Sequence, residues 1–154
     1  MTKLIDARVT GLDQTSLSAG LIEAYLRTEY QIPDSPVGGL VIRPGEVCMP
    51  LNGLMAALNV ETAAFITAYN PLGELMTAEL NDGRYRQLLD AIGLGGWEHY
   101  AGEGIGDDGS WEPEQSVLIL GASSKAAREL GDRFGQNAIV FVQAHLPAKL
   151  VLLR

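Results

Sequence analysis

Ala63-Ala64-Phe65-Ile66-Thr67-Ala68-Tyr69-Asn70-Pro71 is a near-continuous apolar run that stops at an Asn-Pro pair. A strand with one wet face alternates apolar and polar residues. An unbroken run of strand length with turn chemistry behind it is the pattern of a strand covered on both faces. The chain on either side is therefore read for what covers it. Downstream, Thr77 supplies an N-cap for a helix to about residue 92, with Gly93 just past its end. Strands follow at 97–101 and 116–120, with the Gly- and Asp-rich segment 102–109 turning the chain between them. Ser123 or Ser124 opens a last helix, in which Ala127, Leu130 and Phe134 fall at i, i+3 and i+7 ahead of Gly135. Two closing strands, 138–142 and 150–153, are joined by a turn containing Pro147.

Upstream, apolar residues at helical spacing from Leu17 to Tyr30 predict an amphipathic helix over 16–30, ended by Pro33 and Pro36. Segments 40–42 and 47–49 flank Arg43-Pro44-Gly45-Glu46 as a short hairpin, and Pro50 starts a helix over 51–58 with Asn59 as its stop. There is no internal repeat and no linker. The expectation is one α+β domain over 1–154, with a mixed sheet of four to six strands packed by three to four helices. It divides into a helical and hairpin N-terminal part, 1–60, and a β-α-β-β-α-β-β core, 61–154.

Polar residues at apolar positions locate a candidate site. Residues 100° apart on the helix from Thr77 put Leu80, Tyr85, Leu88, Leu89 and Ile92 on one face, with Asn81 near its middle. A buried amide must find partners, and tying the helix to a neighbouring loop is the plain structural reading of Asn81. Crossover rules make strands 63–69 and 97–101 run the same way, with 116–120 opposite to both and parallel to 138–142. The end of the first strand (Tyr69, Asn70) and the starts of two others (Glu114, Ser116; Gln136, Asn137) are then expected on one sheet edge, where the helix bearing Asn81 and Arg84 also opens.

Such a cluster suits a small anionic or amide-bearing, nucleotide-like ligand held by Asn70, Asn81, Arg84, Gln136 and Asn137. Glu114 is the candidate general base and Ser116 its neighbouring hydroxyl. The structural alternative pairs Arg84 with Glu114 and leaves the amides to satisfy backbone ends. A protein-interaction module, partnered by another protein or by a second copy of the chain, is the rival reading of function.

Composition narrows the classes. The 154 residues carry 11 Lys and Arg against 19 Asp and Glu, a net charge of -8. With the arginines scattered among acids, no basic stripe is left for nucleic acid or anionic lipid. Cys48 is the single cysteine, so no intrachain disulfide forms, and its apolar neighbours mark it as a small hydrophobe. The opening residues 1–8 lack an apolar signal core, and no run approaches the roughly 18 apolar residues of a membrane span, so the cytoplasm is expected. Gly104-Ile105-Gly106-Asp107-Asp108-Gly109 matches G-x-G-x-x-G, but its acids repel pyrophosphate and no helix opens behind it. His99 and His145 lie near no Cys or carboxylate pair at metal spacing, so neither a metal nor a cofactor is expected.

Four ordered pieces carry a family likeness: 64–71, then Asn81 with Arg84, then Trp111-Glu112-Pro113-Glu114-Gln115-Ser116, then Phe134-Gly135-Gln136-Asn137-Ala138-Ile139. Together they resemble the bacterial family known as domain of unknown function 3293, over about residues 21–154. The resemblance implies membership and a set of signature residues and names no reaction. Its motif positions coincide with the sheet edge derived above.

Overall fold

The computed structural model describes residues 6–107 and 112–154. The decisive run is strand β4 (Thr62–Thr67), in which Ala63, Ala64, Phe65 and Ile66 are all buried. It lies fourth in a sheet of eight strands. In chain order the other strands are β1 (Val9–Thr10), β2 (Glu29–Ile32), β3 (Leu40–Ile42), β5 (Glu98–Ile105), β6 (Glu114–Leu120), β7 (Ala138–Gln143) and β8 (Lys149–Leu152). Their order across the sheet is β1-β8-β7-β4-β6-β5-β2-β3, antiparallel throughout except for the β1–β8 pair. Four α-helices join them: α1 (Ala19–Leu26), α2 (Met49–Ala57), α3 (Ala78–Gly95) and α4 (Ser124–Arg133).

From β4 to β7 the chain is a β-α-β-β-α-β unit with strand order β7-β4-β6-β5, the split arrangement in which a later strand slots between two strands that share a direction. The expected directions hold: β4 and β5 run one way, β6 and β7 the other. Helices α3 and α4 cover one face, where Leu88, Ile92, Ala127, Leu130 and Phe134 pack on Ala64, Ile66, Val117, Ile119 and Ile139. The opposite side chains, Phe65, Leu118, Leu120, Val140 and Val142, meet Ile22 and Leu26 of α1 and Leu51, Leu54 and Met55 of α2. This two-sided burial is what the unbroken apolar run encodes, each fully buried Leu or Ile contributing about 1.5–3 kcal/mol.

The sheet has more strands than the four to six expected, and the reason lies in the N-terminal third. The helix expected over 16–30 ends at Leu26, because Glu29-Tyr30-Gln31-Ile32 alternates inward and outward as β2, burying Tyr30 and Ile32. Strand β2 pairs with β3 through the loop holding Pro33 and Pro36, and with β5 on its other side. The expected hairpin 40–42 with 47–49 does not form. Its turn does, with Glu46 N donating to Arg43 O at 3.1 Å, but it leads into α2, for which Cys48 stands at the N-cap and Pro50 near the start. The N-terminal part therefore continues the sheet of the core. Segment 102–105, read as part of a turn, extends β5, and residues 108 and 109 of that segment lie outside the described residues.

Eight twisted strands in this order curl until the two sheet edges approach. Gly45 N, in the turn after β3, donates to Ala148 O at 2.8 Å, and Ala148 N returns a bond to Glu46 O at 3.0 Å. Where β5 crosses β2 at the bend there is no room for a side chain at Gly102: a Cβ there would lie 2.7 Å from Gln31 O and 2.7 Å from Phe65 Cε2. Two strand positions on, a Cβ at Gly104 would meet nothing closer than 3.7 Å. Gly102→Ala is accordingly expected to lose about 1–3 kcal/mol of unfolding free energy, and Gly104→Ala to stay within about 1 kcal/mol of wild type, as read by urea denaturation.

Candidate functional site

The site grows from the left-handed turn that ends β4. Asn70 takes φ 46 and ψ 62, and Leu72 and Gly73 also have positive φ. Asn is among the few side chains that tolerate this region, because its short amide can satisfy the bent backbone locally. Here that amide has a further task. Its Oδ1 accepts from Met76 N at 3.0 Å and from Asn81 Nδ2 at 3.0 Å, which leaves Nδ2 to donate to Glu114 Oε2 at 2.8 Å. Flipping the amide would set an oxygen against the carboxylate and a nitrogen against two donors, so its orientation is fixed. Asn81 completes the cradle by accepting from Asn70 N at 2.9 Å, and it is 6% exposed on the inner face of α3, as its helical phase requires. Leu80, expected on the same face, is 57% exposed instead.

Around this pair the other signature residues assemble. Gln136 donates through Nε2 to Tyr69 O at 3.0 Å and Phe134 O at 3.2 Å. Arg84 donates through Nε to Ala68 O at 2.9 Å and through Nη2 to Phe134 O, and its guanidinium stands 5.9 Å from the Phe134 ring. Leu72 N donates to Gly135 O at 2.7 Å. The end of β4, the first turns of α3, the start of β6 and the α4–β7 connection thus meet at one corner. Trp111 of the signature lies outside the described residues. Arg84 forms no ion pair with Glu114, and among the described residues it holds carbonyls rather than facing open space.

What faces open space is a cavity of about 90 Å³ between the concave face of the sheet and α1. Period-two alternation aims Glu114 and Ser116 of β6 into it, beside Phe65 and Thr67 of β4. Asn70, Gln136 and Asn137 line it from the corner. Sequence reading missed the opposite wall, which is Tyr25 and Thr28 after the middle of α1 and Tyr30 of β2. The available signal was the alternation of Glu29-Tyr30-Gln31-Ile32, which the longer helix had absorbed. The cavity opens into a wider groove of about 770 Å³, with Tyr25, Tyr69, Asn70, Gly73 and Glu114 lining both.

Burial pushes the Glu114 carboxyl above its ordinary value, opposed only in part by the bond from Asn70. Burial, with Glu114 close by, also raises Tyr25, and burial together with the Asp82 carboxylate that accepts its hydroxyl proton lifts Tyr69 to about 12. Ser116 is fully buried and donates its hydroxyl proton to Glu114 O at 2.9 Å, so no side-chain base stands on it. Among the described residues no group of three or more His, Cys, Asp and Glu could hold a metal ion, and no helix is long and apolar enough to cross a membrane.

An α+β domain with a curled sheet and a carboxyl-lined cavity at one corner is the class of protein that fold and site define. Residues 66–139 match the family model described as Protein of unknown function (DUF3293). The matched segment contains every signature residue of the corner, whereas Tyr25, Thr28 and Tyr30 of the far wall lie outside it. No curated protein and no solved structure matches the chain.

Two outcomes follow from this geometry. Asn81→Ala strands the Asn70 backbone N–H and frees the Asn70 amide, and it is expected to cost about 1–3 kcal/mol of stability by chemical denaturation. A folded-state pKa raised above the unfolded 4.5 makes a stabilising contribution that is complete below pH 4.5 and lost as pH rises through the raised value. Glu114→Gln is expected to remove that loss, flattening the stability-against-pH profile above pH 4.5 relative to wild type.

Proposed function

We propose that the chain binds a small organic molecule whose polar end enters the cavity and meets Glu114, with the remainder lying in the adjoining groove. The observation that carries this reading is the Glu114 carboxyl itself. It is half-buried, faces open space, and among the described residues receives a single hydrogen bond, from Asn70. A carboxyl left this far from water with acceptor capacity to spare is costly unless a ligand completes its partners. Of the ligand chemistries the sequence suggested, the amide-bearing one is retained, because a hydrogen-bond donor suits Glu114. The anionic one loses its cation, since Arg84 lines neither the cavity nor the groove. Asn70 and Asn81 then position the carboxyl, Gln136 and Asn137 shape the corner, and any acid–base step on the bound molecule falls to Glu114.

A protein-docking role is the second reading, favoured by Leu72, Leu75 and Leu80, exposed at 57%, 87% and 57%, of which Leu75 lines the groove. The two readings separate by NMR titration with benzamide, n-pentylammonium and n-pentanoate, using wild type and Gly104→Val. Gly104 lines the cavity with room for added atoms, so valine there occupies ligand space without breaking the bend. The cavity reading expects amide shifts centred on Asn70, Glu114, Ser116 and Gln136 with at least one probe, and their loss in Gly104→Val. Shifts confined to the three leucines, or unchanged by the valine, would sink it.

A further inference from the structure

Resting on the cavity reading above, we infer that the occupant is a primary alkylammonium, its head seated against Glu114 among the rings of Tyr25, Tyr30, Phe65 and Tyr69 and its apolar chain running out past Leu21, Leu75 and Met76. Three observations converge on this chemistry.

The first is charge. No Lys, Arg or His is among the described residues lining either the cavity or the groove, whereas Glu114 lines both and Glu112 lies at the groove mouth. An anion would enter a space with one carboxylate and no counter-charge, while a cation supplies the missing partner of a buried carboxyl.

The second is the direction of the hydrogen bonds. Each hydroxyl proton on the wall except that of Tyr25 already goes elsewhere: Thr28 to Ala24 O, Thr67 to Gln115 O, Ser116 to Glu114 O, Tyr30 to Tyr25 O and Tyr69 to Asp82 Oδ1. The Gln136 Nε2 protons are likewise taken by Tyr69 O and Phe134 O. What remains is mostly acceptors, namely the Glu114 carboxylate and the hydroxyl lone pairs. A –NH₃⁺ group, with three donors and no acceptor, is the complement of such a wall.

The third is shape. About 90 Å³ is the room of roughly three water molecules, enough for a compact head group and no more. Four aromatic rings line it, and a cation within about 6 Å of such rings gains further attraction. The groove outside it is lined by Leu21, Leu75, Met76 and Pro113, which suits an unbranched apolar chain.

The acid–base surroundings agree. Tyr25, Tyr30 and Tyr69 face Glu114 from α1, β2 and the end of β4, all raised above 10, with Asp82 behind Tyr69 and Glu112 on the approach. An arriving cation favours the ionised carboxylate and displaces its proton. Binding therefore tightens as pH rises through the Glu114 titration, whereas a ligand that accepts from the protonated acid would weaken.

Isothermal titration calorimetry with n-pentylammonium, n-pentanol and n-pentanoate decides the matter in wild type, Glu114→Gln and Gly104→Val. The expected order is the ammonium ahead of the alcohol by about ten-fold or more, with the carboxylate weakest. Glu114→Gln keeps an oxygen for Asn70 to bond and should remove the ammonium's advantage over the alcohol, with circular dichroism and the urea midpoint reporting that the variant is folded. Affinity for the ammonium should be higher at pH 8 than at pH 5, roughly tracking the ionisation of Glu114. If the alcohol or the carboxylate binds as tightly as the ammonium and is blocked by Gly104→Val, the ligand class is overturned and the cavity reading stands. Full ammonium affinity in Glu114→Gln overturns the ligand class as well. If none of the three binds at millimolar concentration, the ligand class is overturned, and if benzamide is silent as well the cavity reading falls with it.

Discussion

A single side-chain amide, that of Asn70, ties the turn after β4 to the entry and first turn of α3 and, 44 residues on, to the start of β6. Its backbone takes the left-handed turn that stops β4, its Oδ1 accepts from Met76 N and from Asn81 on α3, and its Nδ2 donates to Glu114 at the start of β6. Because both ends of the amide are held, no rotation relieves one bond without breaking another. Aspartate at this position would set a second carboxylate against Glu114, and alanine would leave three polar groups without partners. The corner therefore depends on one residue type at one position, with Asn81 present to keep that residue oriented.

The open space beside this corner comes from the curl of the sheet. The unit from β4 to β7 would by itself expose Phe65, Leu118 and Val140 on the face away from α3 and α4. The N-terminal residues cover that face with α1 and α2 and extend the sheet by β2 and β3 until its edges meet at the Gly45–Ala148 contact. Where α1 gives way to Thr28 and Tyr30 the cover is incomplete, and the gap is the cavity. Gly102 permits the bend and Gly104 leaves the room, two glycines on one strand with opposite steric surroundings. The ligand site proposed for this cavity thus draws its polar corner from the family-matched segment and its aromatic wall from the N-terminal third.

Much of this was legible in the sequence, for reasons that differ by element. The apolar run of β4 and the Thr77 and Ser123 caps are local signals, and α3 and α4 begin where those caps stand, although α3 runs through the expected stop at Gly93 to Gly95 and is capped by Gly96. The convergence of Asn70, Asn81, Glu114 and Gln136 followed from strand directions alone, because crossover rules place strand ends without knowledge of packing. Two things were not legible. The periodicity of Leu17 to Tyr30 fits a helix along its whole length, and only pairing with β3 and β5 makes Glu29–Ile32 a strand, a tertiary preference overriding a local one. The orientation of Arg84 was equally hidden: a half-buried arginine beside two carbonyl-rich chain ends bonds those carbonyls, and no spacing rule shows which ends will be near.

The central claim is that the fold holds Glu114 away from water, which makes the carboxyl resist ionisation although Asn70 donates to it. Carbon-detected NMR titration of the Glu114 side-chain carboxyl measures this directly in the intact chain. The account predicts a midpoint clearly above the ordinary 4.5. A midpoint at or below 4.5 would mean a solvated or strongly paired carboxylate, and would contradict both the buried corner and the site built on it.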